Sequence, residues 1–357
     1  MPVFTVTDPQ PRMSNSRKKQ VTIYDLATEL NVAPSTVSRA LKDHFSIGKA
    51  TIDAVKELAQ KRGYRTNTMA SNLRKQQTTT IGVLVPWINH PFISNLISGI
   101  EAEARAAGYE VIISQSQDSY KNEVANARAL FSSRIHALLV SLAMETAEYG
   151  HLTEIIQSGT PVIFVDRVPQ EIEGYRVMID NRSTARVATQ HLIDQGCRKI
   201  ALLGGARNQV IYQEREAGYR AALQENGIEI DERLILTSNG LNQEEGYQFT
   251  RYLFEEGLDP DGIFSTMDIA AVGAMKYAHS AGIKIPEQLA VIGFNDDPVC
   301  EIIEPQLSSM SHPAADMGRM ALQQALRIAN PKKQPSAPRM INLETGLVVR
   351  ASSLRKG

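Results

Sequence analysis

The stretch Val21–Lys42, VTIYDLATELNVAPSTVSRALK, decides how the front of the chain folds. Thr22 can cap the free amides at the start of a helix, and Asp25, three residues later, can return a hydrogen bond to the backbone. A short turn at residues 31–33 then leads to Pro34, which helices tolerate at their first position because its missing N–H would have no partner there. The stretch therefore predicts two short helices joined by a tight turn.

A third helix is predicted from about residue 49 to residue 62, which completes a helix-turn-helix unit. Its second helix would expose Ser35, Thr36, Ser38 and Arg39. Short hydroxyl side chains and one guanidinium allow close approach to base edges and phosphates in the major groove of DNA. The same four positions could equally be solvated polar positions on an ordinary three-helix bundle, an alternative that the pattern alone leaves open.

The charge of the chain is unevenly distributed. The formal net charge is −1, from 38 Lys/Arg and 39 Asp/Glu, but residues 1–76 contain 13 Lys/Arg against 6 Asp/Glu. A basic front attracts polyanions, so the charge favours DNA binding over the bundle alternative. Residues 1–20 mix proline, serine and a basic run without periodicity, which predicts a disordered basic arm. Met13 is a second possible translation start.

Behind this front, short apolar runs alternate with helix-length amphipathic segments. The predicted strands are IGVLVP (81–86), EVIIS (110–114), ALLVS (137–141), PVIFV (161–165), KIALLG (199–204), LILTS (234–238), GIFST (262–266) and LAVIGF (289–294). Such alternation predicts parallel sheets covered by helices on both faces. One eight-unit barrel and two doubly wound lobes both fit, and the renewed series after residues 180–181 favours two lobes. Strands at residues 339–350 are expected to finish the second lobe's sheet or its edge.

The composition excludes several classes of protein. With 43% hydrophobic residues, intrinsic disorder is excluded for most of the chain. No apolar run approaches the roughly 20 residues that span a bilayer, and no signal-peptide core is visible, so the cytoplasm is the expected compartment and no membrane is an expected partner. Cys197 and Cys300 are too few for a disulfide framework. Neither phosphate-binding glycine loops nor H-x-x-x-H or G-x-S-x-G patterns occur, so no cofactor, metal or catalytic apparatus is expected.

The chain resembles the lactose/galactose repressor family of bacterial transcription regulators. Besides residues 21–42, the similar stretches are TIDAVKELAQKRGYRTN (51–67), SNLRKQQTTTIGVLVP (71–86), HLIDQGCRKIALLGG (191–205), REAGYRAAL (215–223), GIFSTMDIAAVGAMKYAHSAGIKIPEQLAVIGFND (262–296) and ETGLVVRAS (344–352). The resemblance implies an all-α helix-turn-helix domain at 21–66, a hinge helix and linker at 67–80, and a two-lobed α/β body like the periplasmic binding proteins. It implies an N-lobe at 81–180 and 311–330 and a C-lobe at 181–310 and 331–357.

The resemblance also implies which residues touch the operator. It places Ser35, Thr36, Ser38 and Arg39 on the recognition helix and Thr22 and Tyr24 at backbone phosphates. It further implies that a hinge helix forms on DNA, with Leu73 wedged into the central base step from the minor groove, Ala70 beside it and Asn67 as anchor. Eight residues are too few for a stable isolated helix, so its ordering would be coupled to DNA and a partner chain. The alternative for Leu73 is an incidental apolar residue in a linker.

A ligand site is predicted where the strands end, because open parallel sheets bind ligands beyond their carboxyl ends. The candidates are Trp87, Asn89, Phe92, Asp166, Arg215, Leu241, Met267, Asp268 and Asp296. The resemblance implies that Asp166, Arg215 and Asp296 hold ligand hydroxyls or a carboxylate. Trp87 could stack on a sugar face or fill the rim of the core. A surface cation and a loop carboxylate are the alternatives for Arg215 and Asp296.

Some positions depart from the family. Leu241 stands where some sugar-binding relatives have an aromatic platform, and Met267 where an asparagine is usual, which puts a simple galactoside-like ligand in doubt. Lys42 replaces a common asparagine after the recognition helix, and Pro34-Ser35 replaces bulkier readers. The operator sequence of a relative therefore cannot be transferred to this chain.

The sequence thus predicts a sequence-specific transcription regulator, expected to be a repressor, whose operator affinity is set by a sugar or sugar derivative. A homodimer on a pseudo-palindromic operator is expected, since no further heptad helix follows the last strands. Two alternatives from other classes are a solute-binding receptor, which would carry an export signal and no basic head, and a sugar-active enzyme.

Overall fold

A computed structural model describes residues 21–64, 78–329 and 339–355 of the chain. It divides into two compact units, Met1–Gln76 and Gln77–Gly357. The arm predicted at residues 1–20 and the hinge helix predicted within 67–80, with Asn67, Ala70 and Leu73, lie outside the described residues except for 78–80. Thr80 already belongs to the first strand of the second unit, so the predicted linker ends before it.

Residues 21–64 of the first unit form three helices, as the sequence predicts: α1 (Ile23–Glu29), α2 (Pro34–Ala40) and α3 (Lys49–Lys61). The predicted cap is confirmed, since the Asp25 amide donates to Thr22 Oγ1 at 3.3 Å and the Thr22 amide donates to Asp25 Oδ2 at 2.7 Å. Leu26, Val37 and Val55, one from each helix, are 0–1% exposed and form the small core.

The described residues of the second unit form twelve strands in two six-stranded sheets. The strands are β1 (Thr80–Val85), β2 (Glu110–Gln115), β3 (Ala137–Val140), β4 (Val162–Val165), β5 (Tyr175–Ile179), β6 (Ile200–Gly204), β7 (Ile235–Thr237), β8 (Gly262–Ser265), β9 (Ala290–Asn295), β10 (Ser308–Ser311), β11 (Met340–Leu343) and β12 (Gly346–Val348). Their order is β11-β5-β4-β3-β1-β2 in the first sheet and β12-β10-β9-β8-β6-β7 in the second. Two sheets rather than one closed barrel confirm the two-lobed prediction.

Helices cover both sheets. They are α4 (Pro91–Ala107), α5 (Tyr120–Ser132), α6 (Gly150–Gln157), α7 (Asn181–Asp194), α8 (Val210–Glu225), α9 (Gln243–Glu255), α10 (Asp268–Ser280), α11 (Val299–Ile302) and α12 (Ala314–Ile328). Every strand pairing is parallel except that of β10 with β12, which is antiparallel. The carboxyl ends of the parallel strands therefore meet at one edge of each sheet, where a ligand site is expected.

One prediction about the end of the chain is wrong. Strands at 339–350 were expected to join the second lobe, but β11 pairs in parallel with β5, with Met340 opposite Arg176, and so extends the sheet of the first lobe. Only β12 joins the second sheet. The polypeptide crosses between the sheets after β5, after β10 and after β11, and sequence periodicity does not reveal to which sheet a short strand returns.

Helix α12 is held on the first lobe by close backbone packing against α4. A Cβ atom added to Gly99 in α4 would lie 2.0 Å from the Ala315 carbonyl oxygen, and one added to Gly318 in α12 would lie 2.1 Å from the Leu96 carbonyl oxygen. Only glycine permits two helix backbones to approach this closely. The contact fixes the start of α12, and with it the crossing residue His312, beside the first lobe.

Candidate functional site

The recognition helix of the first unit presents a polar face above a buried apolar one. In α2, Ser35 and Arg39 are exposed and Thr36 and Ser38 are half-buried, while Val37 and Ala40 have no exposed surface. In α1, Tyr24 is 58% exposed, and Thr22 is exposed although its hydroxyl takes part in the helix cap. Helix α2 and the start of α1 thus leave these six side chains at least partly exposed.

Most of the positive charge of the front lies outside its described helices. Residues 21–64 contain six Lys/Arg and five Asp/Glu. Two of those cations are already engaged, because Lys56 pairs with Asp43 at 2.6 Å and Arg62 pairs with Glu29 at 3.0 Å. The excess of basic residues therefore flanks the helical core on both sides in sequence.

The second unit contains a cavity of about 460 Å³ bounded by segments that follow the carboxyl ends of strands in both sheets. Its lining is Pro86, Trp87, Asn89, His90, Pro91, Phe92, Ile93, Asp166, Arg167, Ile211, Tyr212, Arg215, Gly240, Leu241, Asn242, Met267, Ile269, Asn295, Asp297, Pro298, Val299 and His312. A volume of this size and an apolar lining with a few convergent polar groups are typical of small-molecule sites.

The structure brings together most of the residues that the sequence predicts for the ligand. Seven of the nine candidates line the cavity: Trp87, Asn89, Phe92, Asp166, Arg215, Leu241 and Met267. They come from five separate segments, and the first three follow β1, whereas Asp166 follows β4 and Met267 follows β8.

Two candidates are corrected by the structure. Asp268 is fully buried and lies outside the cavity lining, where it accepts hydrogen bonds from Ser309 Oγ at 2.7 Å and from the Asp297 amide at 2.8 Å. Asp296 turns away from the cavity and accepts from Arg350 Nη1 at 2.7 Å. The side chains that line the cavity here are Asn295 and Asp297, so the predicted carboxylate is displaced by one residue.

Arg215 is the central cation of the site. It is 3% exposed and starts from α8, donating through Nε to Asn181 Oδ1 and through Nη1 to the Thr266 carbonyl, both at 2.9 Å. Its guanidinium carbon also lies over the Phe294 ring. Burial is the main cause that lowers the pKa of Arg215, although guanidinium groups stay charged in proteins. Arg215 is thus a rigid, oriented donor.

Asp166 provides the matching acceptor. The residue follows β4 in the left-handed region, with φ 63°, and is 9% exposed. Burial raises the pKa of Asp166, and the charges of Arg167 and Arg215 oppose that shift. A non-glycine residue held at positive φ is a feature that often accompanies ligand sites. Asp166 and Arg215 together can bind the oxygen atoms and hydroxyl groups of a ligand.

Sequence reasoning missed a partly buried ion pair that orients Trp87. Arg167 donates through Nη1 to Asp118 Oδ1, and the Trp87 indole donates through Nε1 to Asp118 Oδ2 at 2.9 Å. Asp118 lies between β2 and α5, far from Arg167 in sequence, so no local pattern could connect them. The ion pair neutralises Arg167 and fixes the indole on the cavity wall.

His312 was also missed. Its ring lies 4.2 Å from that of Phe92, its Nδ1 atom lies 3.3 Å from Asn295 Oδ1, and the residue is 8% exposed. Burial, reinforced by the charge of Arg215, holds the pKa of His312 well below 6.5. The preceding strand β10 is SSMS, which has no apolar run, so nothing in the sequence marked the residue after it as a strand end.

Asp297 is a lining carboxyl whose pKa is strongly raised. Burial raises the pKa of its carboxyl to about 7, and the neighbouring charges of Asp268 and Asp296 act in the same direction. The cavity lining thus contains one ion-paired cation, Arg167, together with Arg215 and the carboxyl groups of Asp166 and Asp297.

Within 21–64, 78–329 and 339–355, no cluster of histidine, cysteine and carboxylate side chains could hold a metal ion. No helix in the same part of the chain is long and apolar enough to cross a membrane.

Comparisons with known proteins agree with this division of the chain. Residues 22–67 match the profile "Bacterial regulatory proteins, lacI family", and residues 189–353 match a "Periplasmic binding protein-like domain". Catabolite control protein A of Staphylococcus xylosus is 32% identical over 313 residues, which cover 87% of this chain and 93% of that protein.

Solved structures show the same fold. The lac repressor dimer bound to operator and the anti-inducer ONPF matches with a TM-score of 0.84 at 22% identity, covering 94% of this chain and all of that one. The complex of the transcriptional regulator CelR with cellobiose matches with a TM-score of 0.70 at 27% identity, covering 93% and 100%.

The matches do not favour a solute-binding receptor or a sugar-active enzyme, since both the helical front and the two-lobed body correspond to regulators. A relative 32% identical over nearly the full length of both proteins settles the assignment. The chain belongs to the lacI family of bacterial regulatory proteins, DNA-binding transcription regulators that carry a ligand-binding effector body.

Proposed function

We propose that this regulator is a dimeric repressor in the cytoplasm that binds a pseudo-palindromic operator and changes its operator affinity when a carbohydrate-related effector fills the cavity. The single observation that carries the proposal is the combination of the exposed polar helix α2 with the cavity that contains Arg215 and Asp166. The regulator acts by binding and release, without turnover of the effector.

The DNA-binding step depends on two elements. Ser35, Thr36, Ser38 and Arg39 read the major groove, with Thr22 and Tyr24 on the backbone phosphates. The segment Asn67–Arg74 orders on DNA as a hinge helix, in which Ala70 packs beside Leu73 and Asn67 anchors the segment. Leu73 wedges between bases, and the cost of unstacking, a few kcal/mol, is offset by the contacts that the bend permits.

The regulatory step depends on the cavity. A ligand held between groups of both lobes stabilises the arrangement in which those groups are close together, and it shifts the DNA-bound population according to its differential affinity for the two states, commonly about 1–3 kcal/mol. The complexes named above show that the fold accommodates cellobiose in CelR and ONPF in the lac repressor. A sugar or sugar derivative is the corresponding ligand class here.

The dimer is supported by an apolar patch on the first lobe, consisting of Ile88, Ile97 and Ile113. Strand β2 is an edge strand of its sheet, and Ile113 is 39% exposed on it, with Ile88 48% exposed nearby. Isoleucines exposed together on a sheet edge are typical of surfaces that another chain covers. The related lac repressor structure is a dimer.

Genomic footprinting with the purified full chain tests the proposal. We expect protection of a few pseudo-palindromic sites at moderate ionic strength, and loss of that protection in Arg39→Ala. Uniform protection that does not depend on sequence would refute the assignment of a specific operator. Lys42→Ala, one turn beyond the reading positions, is the matched control and should weaken specific and non-specific binding alike.

A further inference from the structure

A short segment of the first lobe, residues 142–146 after β3, contacts the second lobe through Met144. We call it the interlobe segment. The Met144 side chain packs against an apolar cluster of Ala206, Ile211 and Tyr212, which follow β6 in the second lobe. Since Ile211 and Tyr212 also line the cavity, this contact lies directly beside the site.

The backbone of Met144 adds two hydrogen bonds between the lobes. Its carbonyl accepts from Gln209 Nε2 at 2.7 Å and from Asn208 Nδ2 at 3.2 Å. Gln209 is the N-cap residue of α8 and is 8% exposed, yet its side chain makes no cap bond to its own helix. The buried amide of Gln209 therefore bonds to the opposite lobe rather than to the free N–H groups of α8.

These contacts do not lie on the connections between the lobes. The polypeptide crosses between the sheets after β5, β10 and β11, whereas the interlobe segment follows β3 and its partners follow β6. A contact on a crossing connection can persist while the lobes move, but the contacts of Met144 must break when the lobes separate. They therefore favour the arrangement in which the lobes are close together.

Two carboxylates hold the interlobe segment in place. Glu123 in α5 has no exposed surface and accepts from the Ala143 amide at 2.6 Å and from Thr146 Oγ1 at 2.9 Å. Asp118, just before α5, accepts from the Met144 amide through Oδ1 at 2.9 Å. Hydrogen bonds to charged groups are among the stronger ones in proteins, so the backbone that presents the Met144 carbonyl is well fixed.

Asp118 also joins the interlobe segment to the cavity wall. The oxygen that accepts from Met144, Oδ1, accepts from Arg167 Nη1 as well, and Oδ2 accepts from the Trp87 indole. The Leu142 amide in turn donates to the Arg167 carbonyl at 3.2 Å. Because Arg167 and Met144 share one carboxylate oxygen, a displacement of either residue changes the hydrogen bond of the other.

We propose that the interlobe segment holds the two lobes together through Met144, and that Asp118 is the positioning residue that couples this contact to Trp87 and Arg167 of the cavity. This inference rests on the proposed function, because it assumes that lobe closure changes operator affinity. It adds a defined two-state contact to that proposal. By linkage, a group that displaces Trp87 or Arg167 changes closure, and closure changes the affinity for that group.

Trp87 is the only tryptophan of the chain, so its fluorescence reports on the cavity wall without labelling. We expect Gln209→Leu, which removes the buried donor to Met144 and does not replace any partner of Trp87, to raise the acrylamide quenching constant of the full chain about twofold or more. Gln213→Leu is the matched control one turn later, since Gln213 Nε2 donates to the Arg207 carbonyl within its own lobe. Equal quenching of Gln209→Leu and the wild type would overturn the proposal.

Double electron–electron resonance tests the role of Asp118. Spin labels on cysteines introduced at Lys121 in α5 and Gln224 in α8, both exposed, measure the distance between the lobes. Gln209→Leu and Asp118→Asn should each lower the ratio of close to separated lobes about two- to tenfold, the usual effect of losing one hydrogen bond. The double variant should show less than the product of the two effects, because both act through the same contact.

A product of independent effects in the double variant would refute the coupling through Asp118. Asp316→Asn, at the exposed pair with Arg319, is the control for the loss of a carboxylate and should leave the distance distribution unchanged. If Asp118→Asn does not fold, Trp87→Phe takes its place in the cycle, because it removes the indole donor to Asp118 and keeps an aromatic ring.

Operator footprinting with the same variants separates the two proposals. Specific protection by the wild type, together with wild-type quenching and distances in Gln209→Leu, contradicts the interlobe contact and leaves the proposed function intact. Separated lobes in Gln209→Leu with an unchanged operator affinity would support the contact and contradict the proposed regulation by lobe closure.

Discussion

The guanidinium carbon of Arg215 lies 3.7 Å from the centre of the Phe294 ring, so the ligand-facing cation is stacked on an aromatic residue of β9. A planar guanidinium suits both this stacking and its two hydrogen bonds to Asn181 and Thr266, whereas the compact ammonium of lysine suits neither.

Replacing Arg215 by lysine should therefore weaken effector binding although the charge is kept. We expect the binding free energy to fall by about 1.5–3 kcal/mol, the range for hydrogen bonds to charged groups. Titration calorimetry with a sugar that raises the melting temperature of the wild type measures the change. Arg220→Lys is the matched control on the same helix, since Arg220 pairs with Glu216 and Glu232 outside the cavity. Unchanged affinity in Arg215→Lys would contradict the role of the fork-shaped donor.

Asp297 should make the unfolding free energy depend on pH. Its pKa is about 7 in the folded protein against an ordinary value of 3.8, so between about pH 4 and 7 the folded state binds more protons than the unfolded state. Stability contributed by this group is therefore present at low pH, falls as the pH rises through that window, and levels off above pH 7.

Asp297→Asn should reduce that loss of stability by about 1–3 kcal/mol between pH 5 and pH 8, measured by urea unfolding at the two pH values. Asp166 and Asp268 also have raised pKa values and make the unfolding free energy depend on pH in the same direction. The contribution of Asp297 is therefore the difference between the pH profiles of the wild type and Asp297→Asn. Asp316→Asn, at an exposed surface pair with Arg319, is the control and should follow the wild type. An identical pH profile in Asp297→Asn would show that Asp297 ionises normally.

The contact between α4 and α12 should not tolerate a methyl group. Gly99→Ala places a Cβ 2.0 Å from a backbone oxygen, and the helices must separate, so we expect destabilisation of about 2 kcal/mol or more in urea unfolding despite the better helix propensity of alanine. A Cβ atom added to Gly150 at the start of α6 would have no neighbour within 4 Å, so Gly150→Ala should leave the unfolding free energy nearly unchanged. Equal stability of the two variants would contradict the close packing.

Leu73→Ala should weaken specific operator binding far more than non-specific binding, because a wedge acts only where the central base step can be opened. Competition assays with operator and random duplexes measure both. Arg74→Gln is the control; because it removes one positive charge and no apolar wedge, it should weaken both kinds of binding alike. Equal losses in Leu73→Ala would refute the wedge.

Ile113→Lys should convert the dimer to a monomer, since a charge on the apolar patch would be buried in the interface. Sedimentation velocity measures the change. Phe131→Lys, a 39% exposed residue of the same lobe outside the patch, is the control and should remain dimeric. A dimeric Ile113→Lys variant would place the interface elsewhere.

The strands were predictable wherever the sequence contains a continuous apolar run. Eight strands were predicted from such runs, and all eight are present. Strand β10 was not, because its Ser308 and Ser309 are fully buried through hydrogen bonds rather than through apolar contacts, with Ser309 donating to Asp268. A buried polar strand has the same composition as a loop.

The site was predictable where residues directly follow strands. The displacement from Asp296 to Asp297 arises because Asn295 and Asp296 both have positive φ, 113° and 56°, so the backbone turns sharply at the end of β9. His312 directly follows β10, but that strand has no apolar run to mark its end, and Asp118 follows β2 and acts on the cavity only through Arg167 and Trp87. Alternation along the chain does not encode either effect.

The return of β11 to the first sheet has a consequence for biosynthesis. The sheet that begins at Thr80 is finished by Met340–Leu343, so an emerging chain cannot complete its first lobe until the second lobe has left the ribosome. A nonsense codon after α12 would remove an edge strand from the lobe encoded earlier, exposing β5 to other chains. For the same reason, recombination with a homologue by a single breakpoint between the lobes would join strands that never evolved as neighbours.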